Sequence, residues 1–171
     1  MVIPMIKNPT QQRLKELFYY NPETGGFTRL ISVKGVKCKE GDTTSQKVNS
    51  SGYLRIMVDG VRYQAHRLAW IYVHGDIPNQ MHIDHINRDR ADNRICNLRL
   101  ATNQQNRQNS KANLNNTSGK KGVYWHKRDA CWYVAIGVAG KLKHLGYFKD
   151  RETADLARDR AEKIYFKYIH E

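Results

Sequence analysis

The stretch Ile83–Asn106, IDHINRDRADNRICNLRLATNQQN, sets a carboxylate beside an imidazole and follows them with a polar run rich in Asn and Arg. Met81 to His85 reads as a short strand, and Asn97 to Ala101 as a second one, with a polar loop between. Thr102-Asn103-Gln104-Gln105 has the form of a capping box, in which the Thr hydroxyl takes the N3 amide and Gln105 reaches back to the cap amide. The spacing therefore predicts strand, loop, strand, helix, with Asn106 in the first turns of the helix.

These residue types in that order point to one chemistry. Asp84 offers a hard oxygen donor and Asn106 a neutral amide oxygen. Two protein oxygens leave most of a coordination sphere to phosphate and water, as Mg²⁺ prefers. His85 is near neutrality at physiological pH and can take a proton from water. A metal that grips a phosphate, beside a base aimed at water, is the equipment of a phosphodiesterase. The combination with Asn97 and Asn106 carries this reading, because an Asp-His pair alone is a weak signal.

The flanking sequence frames the stretch. Thr10 to Tyr19 shows helical spacing at Leu14, Leu17 and Phe18, and Asn21 to Gly26 breaks it with turn residues. Phe27 to Val33 is expected to be a strand and Lys34 to Ser51 a loop. Tyr53 to Val58 and Val61 to Ala65 flank Asp59-Gly60, a hairpin signal whose type I′ turn needs positive φ at both central residues. His66 to His74 reads as a buried helix stopped by Gly75. Asn109 to Lys120 reads as a linker. Beyond it, residues 122–127, 131–138 and 142–148 form strand-like runs, Ala139-Gly140 makes a tight turn, and Asp150 caps a helix running to about Tyr168. The expected domains are residues 1–109, a linker at 110–120, and residues 121–171.

The chain has 171 residues and a formal net charge of +13. Up to Asn106 it carries 15 Lys and Arg against 9 Asp and Glu, and beyond it 14 against 7. A positive excess spread over both parts, without a basic amphipathic helix, favours nucleic acid over a membrane as partner. Cys38, Cys96 and Cys131 lie far apart, so neither a cysteine zinc knuckle nor a disulfide framework is indicated, and the odd count fits a reducing compartment. No signal peptide or membrane-spanning run is found. The Asn116-Thr117-Ser118 sequon is read as chance.

The stretch from His66 to Asn109 resembles the HNH nucleases, in particular the phage and intron-encoded homing endonucleases, whose motif is a ββα-metal finger. The resemblance implies that His85 is the general base, Asp84 a metal ligand, and Asn97 the residue that ties the loop together and helps orient the histidine. Asn106 stands at the third motif position, where many members have His and several homing enzymes have Asn. It implies Mg²⁺ or Mn²⁺, one ion per active site. The implied reaction is hydrolysis to a 5′ phosphate and a 3′ hydroxyl, with nicking expected of a monomer. Arg67, Arg88, Arg90 and Arg94 are candidate phosphate contacts. The segment from Lys121 to Ala161 resembles the DNA-binding domain of the plant ethylene-response-factor transcription regulators, which lays a three-stranded sheet in the major groove.

By alternation Val123, Trp125, Trp132, Val134, Ile136, Leu145 and Phe148 are expected to pack on the helix. Gly122, Tyr124, His126, Tyr133, Ala135, Gly137 and His144 are expected to face outward. Ala154, Leu156, Ala157, Ala161, Ile164 and Tyr165 are the helix residues available for packing. Tyr124, His126, Arg128, Tyr133 and His144, with Lys111, Lys120 and Lys121 of the linker, are the candidate DNA contacts of this half. The plant sheet uses several arginines where this chain has Tyr and His, so the plant target sequence does not carry over. The expected fold is α+β: an HNH finger with an N-terminal strand-rich segment, and a small three-stranded antiparallel sheet on one helix. The expected partner is double-stranded DNA, with no membrane and no obligate protein partner, in the cytoplasm of a bacterial host and phage-encoded. The competing reading is an inactive DNA-binding regulator that keeps the finger as a scaffold. Intact Asp84, His85, Asn97 and Asn106 favour the enzyme.

Overall fold

The structure is a computed structural model and describes residues 8–32, 39–44, 48–110, 115–166 and 168. The chain divides into two compact units, Met1–Thr102 and Asn103–Glu171. Val33, residues 34–38 (Cys38 among them) and 45–47 of the expected loop, Lys111, and Lys167 in the last expected helix lie outside the described residues.

The first unit opens with α1 (Gln11–Leu17), capped by the Thr10 side chain, which accepts from the Arg13 amide at 3.1 Å. The chain then passes straight into β1 (Phe18–Tyr20), which pairs antiparallel with β2 (Phe27–Arg29). The expected helix to Tyr19 is therefore shorter, because Phe18 leaves helical geometry to join this hairpin. β3 (Arg55–Val58) and β4 (Val61–Gln64) form the hairpin around Asp59 and Gly60, whose φ values are +46° and +82°. α2 (Ala65–His74) follows at once and ends at Gly75, whose amide donates to the Ile71 carbonyl. Leu14, Leu17, Phe18, Phe27, Ile56, Val58, Leu68 and Ile71 make one apolar core from these elements. Burying a side chain of this kind contributes roughly 1.5–3 kcal/mol.

On this core sits the pair β5 (His82–His85) and β6 (Leu98–Ala101), antiparallel, with Asp84 opposite Arg99 and His85 opposite Leu98. A short 3-10 turn, Ile95–Asn97, leads into β6.

The second unit holds α3 (Asn103–Asn109), the sheet β7 (Val123–His126), β8 (Cys131–Val138) and β9 (Lys141–Phe148), and α4 (Arg151–Tyr165). Ala139 and Gly140 make the β8–β9 turn with φ of +50° and +77°. Asp150 caps α4, accepting from the Thr153 amide at 2.9 Å. Val123, Val134, Ile136, Ala154, Ala161 and Phe166 build the core between sheet and helix.

Strict alternation fails in this sheet. The β8–β9 register shifts between Val134 and Ala135, so that Val134 pairs with Gly146 and Ala135 with His144, leaving Leu145 as an extra residue on β9. Ala135 is buried with its neighbours Val134 and Ile136, against the expected outward position. Trp125 is exposed and meets Trp132 edge-on at 5.1 Å, so it does not pack on the helix. Leu156 and Ile164 are exposed as well. The deep positions of α4 are Ala154, Arg158 and Ala161. Gly122 is buried where a Cβ would stand 2.4 Å from both the Ala135 oxygen and Arg158 Nη1, so only glycine lets that arginine close over the strand. Among the described residues no helix is long and apolar enough to cross a membrane.

Candidate active site

His85 ends β5 and is 4% exposed, while Asp84 before it is 5% exposed. The His85 ring is gripped by Asn93 from the loop, whose Oδ1 lies 3.2 Å from Nε2. The Asn93 amide is itself oriented, because Nδ2 donates to the Ala91 carbonyl at 3.2 Å. That leaves Oδ1 to accept from His85, which assigns the proton to Nε2 and the lone pair to Nδ1. Burial pulls the imidazole below its ordinary pKa, against the Asn93 oxygen and the Asp84 carboxylate, which pull it up.

The loop that carries Asn93 is fastened from two sides. The Asn97 side chain accepts from the Asn87 amide at 3.0 Å and donates to the Asp92 carbonyl at 2.8 Å, while its own carbonyl takes the Ile86 amide. The turn between β1 and β2 supports the far side: Tyr20 donates its hydroxyl to the Asn93 carbonyl at 2.7 Å. Gly25 approaches so closely that a Cβ there would stand 2.5 Å from the Asn93 carbonyl carbon. Asn97 thus ties the loop, and Asn93 is the side chain that touches the histidine.

A second histidine lies against the first. His66, the second residue of α2, meets the His85 ring edge-on at 4.9 Å between centroids, and Tyr53 flanks both at 5.1 and 6.0 Å. His66 is 5% exposed, its Nδ1 is buried without a hydrogen-bond partner, and burial holds its pKa down to about 3. It is a neutral wall beside a ring that titrates.

The Asp84 carboxylate meets a cation across the ladder, with Arg99 Nε 3.2 Å from its Oδ2. Sequence spacing did not reveal Arg99 or Asn93 as partners, since one depends on strand register and the other on how the loop closes. Asn106 lies on α3, half-buried, in the second unit. Among the described residues no group of three or more His, Cys, Asp or Glu gathers to hold a metal ion. The Asp84 carboxylate is a hard oxygen donor, of the kind that suits a hard divalent cation taking its further ligands from substrate and water.

The candidate phosphate contacts differ in how committed they already are. Arg94 grips Asp92 through two bonds of 2.6 and 2.8 Å, and Arg90 donates to the Ser51 carbonyl while lying 5.0 Å over the Tyr53 ring. Arg67 is half-buried beside Asn8, and Arg88 is exposed at a φ of +63°. In the second unit Lys120 is drawn into the fold by Asp159 at 2.7 Å and the Asp155 carbonyl. Lys121 bonds the Arg107 carbonyl and Ser110. Arg128 and His126 both meet Asp129. Tyr124, Tyr133 and His144 share the outer face of the sheet, where His144 stacks on Tyr133 at 4.9 Å. Tyr147 joins them at 5.5 Å from Tyr133 and 4.8 Å from His144. The extra residue Leu145 puts His144 and Tyr147 on one face, which alternation did not foresee.

The sequence profile of a family described as HNH endonuclease matches residues 63–108. Protein 3.8 of Escherichia phage T7 is 37% identical over 91 residues, 53% of this chain and 73% of that protein. The uncharacterized HNH endonuclease L560 of Acanthamoeba polyphaga mimivirus is 38% identical over 124 residues, 71% of this chain and 63% of that protein. A solved structure of DNA binding and cleavage by the HNH homing endonuclease I-HmuI superposes with a TM-score of 0.44 at 21% identity, covering 59% of this chain and 55% of that one.

Proposed function

The chain belongs to the HNH endonuclease family, and on that premise we propose that it is a divalent-metal-dependent, site-directed DNA endonuclease that nicks as a monomer. The observation that carries the reading is the seating of His85: buried, adjacent to a carboxylate, and held by Asn93 in the tautomer that leaves Nδ1 as the basic nitrogen. A buried imidazole kept neutral is ready to accept a proton where a charged one is not.

His85 takes a proton from water at Nδ1, and the hydroxide so formed attacks the phosphorus opposite the departing 3′ oxygen. Asn93 keeps the ring from turning during the transfer and holds the Nε2 proton. Asn97 keeps the loop, and with it Asn93, at fixed distance from β5. Asp84 would hold a Mg²⁺ or Mn²⁺ ion, which supplies positive charge for the phosphate and the leaving oxygen. The departing 3′ oxygen takes a proton from solvent, so the products are a 5′ phosphate and a 3′ hydroxyl.

The second unit serves as the DNA reader in this proposal. Its outer sheet face offers Tyr124, Tyr133, His144 and Tyr147, rings with polar edges for a groove. With Lys120, Lys121 and Arg158 bonded inside the unit and Arg128 paired with Asp129, this face reads more by rings than by guanidinium forks.

Incubation of supercoiled plasmid and host genomic DNA with Mg²⁺, with and without EDTA, tests the reading. Open circles are expected, and none with EDTA. His85→Ala should lose cleavage by about 10²–10⁴-fold or more while still binding DNA. Equal cutting by that variant removes His85 from its role, and an uncut plasmid favours a regulator that keeps the finger as a scaffold.

A further inference from the structure

The ion pair between Asp84 and Arg99 has no part in the steps above. The two residues face each other across β5 and β6, so their side chains leave the sheet on one side. Arg99 Nε stands 3.2 Å from Asp84 Oδ2, with the side chains 16% and 6% exposed. Resting on the endonuclease reading, we infer that Arg99 is a further residue of the reaction centre: it stands in for the divalent ion at Asp84 while DNA is absent, and turns to a DNA phosphate when DNA is bound, so that metal and DNA promote each other's binding.

Charge governs this exchange. A carboxylate this deeply buried is strongly unfavourable if left alone, and Arg99 neutralises it in the DNA-free protein. A divalent ion that comes to the same carboxylate meets the guanidinium at close range, in surroundings that screen poorly. Two cations then compete for one anion. A phosphate ends the competition, because the planar guanidinium fork matches its oxygens. It also supplies oxygen ligands that a small protein donor set leaves open to the metal. Carboxylate, guanidinium, metal and phosphate are all paired once DNA is present, and only then. Linkage makes the effect reciprocal: the factor by which DNA tightens the metal is the factor by which the metal tightens DNA.

The experiment uses the full chain carrying His85→Ala, so that DNA survives, and reads Mn²⁺ affinity by electron paramagnetic resonance with and without duplex DNA. The parent should bind Mn²⁺ weakly alone and about tenfold or more tightly with DNA. Arg99→Gln should bind Mn²⁺ about tenfold more tightly than the parent without DNA, and DNA should then add little. Arg99→Lys keeps the charge, and its DNA-free affinity should stay close to the parent's, which supplies a second reading should Arg99→Gln not fold. Asp84→Asn should lose the site in both conditions. Equal Mn²⁺ affinities in the parent and Arg99→Gln, with and without DNA, overturn the inference, as does a rise in Arg99→Lys as large as that expected for Gln. Wild-type protein that cuts plasmid alongside such a result leaves the endonuclease reading standing. Wild-type protein that neither cuts nor binds Mn²⁺ with DNA overturns both.

Discussion

The ion pair Asp84–Arg99 of the first unit and the pair Arg158–Glu162 of the second are built the opposite way round. In the first the carboxylate is the deeper member, 6% exposed against 16% for the guanidinium. In the second the guanidinium is the deeper, 3% against 23%. Arg158 also donates to the Ala135 carbonyl at 2.6 Å and lies under Gly122. It is bonded to strand and helix together, so it clamps α4 to β8. A buried carboxylate faced by an arginine across a strand pair can exchange it for another cation. A buried guanidinium bonded to main chain has nothing to exchange.

The two pairs should therefore respond differently when broken. Arg158→Met removes a charged hydrogen bond and leaves the Ala135 carbonyl unpaired, with an expected loss of about 2–4 kcal/mol in the second unit. Lysine should not restore it, since it lacks the fork. Addition of Mg²⁺ should leave the Arg158→Met melting temperature unchanged. The Arg99→Gln chain should regain stability with Mg²⁺, because an ion that binds only the folded state stabilises it. Thermal melts at several Mg²⁺ concentrations decide this. Equal Mg²⁺ responses in the two variants would erase the contrast.

The first unit also carries a pH liability. His66 has a folded pKa of about 3 because it is buried, well below the ordinary imidazole value of 6.5. The unfolded chain therefore binds the proton more readily, so the stability His66 permits is present above about pH 6.5 and is lost as pH falls toward 3. The loss grows through that window as the unfolded chain takes up the proton and the folded one does not. His85, lowered by burial in the same direction, adds to it. His66→Phe keeps a ring against His85 and cannot protonate. Denaturant melts between pH 7 and 4 should show a shallower decline for this variant, and an unchanged slope would mean that His66 is hydrated in solution.

What the sequence made legible follows the range of the signal. The Asp59-Gly60 hairpin, the Gly75 stop and the Asp84–Asn97 strand-loop-strand are written in neighbouring residues, and the structure has them there. β1 was hidden because Leu14, Leu17 and Phe18 continue a helical spacing across a junction that only pairing with β2 creates. Asn93 and Arg99 were hidden because their partners are chosen by loop closure and strand register. Trp125, Ala135 and Tyr147 were misassigned or missed through faces set beyond the reach of simple alternation, with the shift at Leu145 changing the parity of β9. Arg158 is different. It falls between Ala154 and Ala161 at helical spacing, so its inward place was present in the pattern and obscured only by its charge.

The smallest test separates the units by a single cap. Asp150 accepts from the Thr153 amide at 2.9 Å at the start of α4, and the Thr153 hydroxyl bonds its other oxygen. That arrangement holds Asp150 below the usual carboxylate range, through the Thr153 side chain first. Asp150→Ala removes the cap and leaves the apolar contacts of Ala154 and Ala161 in place, so the expected loss is smaller than that of Arg158→Met. Hydrogen exchange resolved along the chain should show faster exchange in 121–166 and unchanged protection in 55–101. The loss should shrink as pH falls and the wild-type carboxylate protonates, since a neutral acid is a poorer acceptor at a helix N-terminus. Faster exchange in 55–101 to the same degree would show that the two units unfold as one, and that the contrast between their ion pairs cannot be read from melting alone.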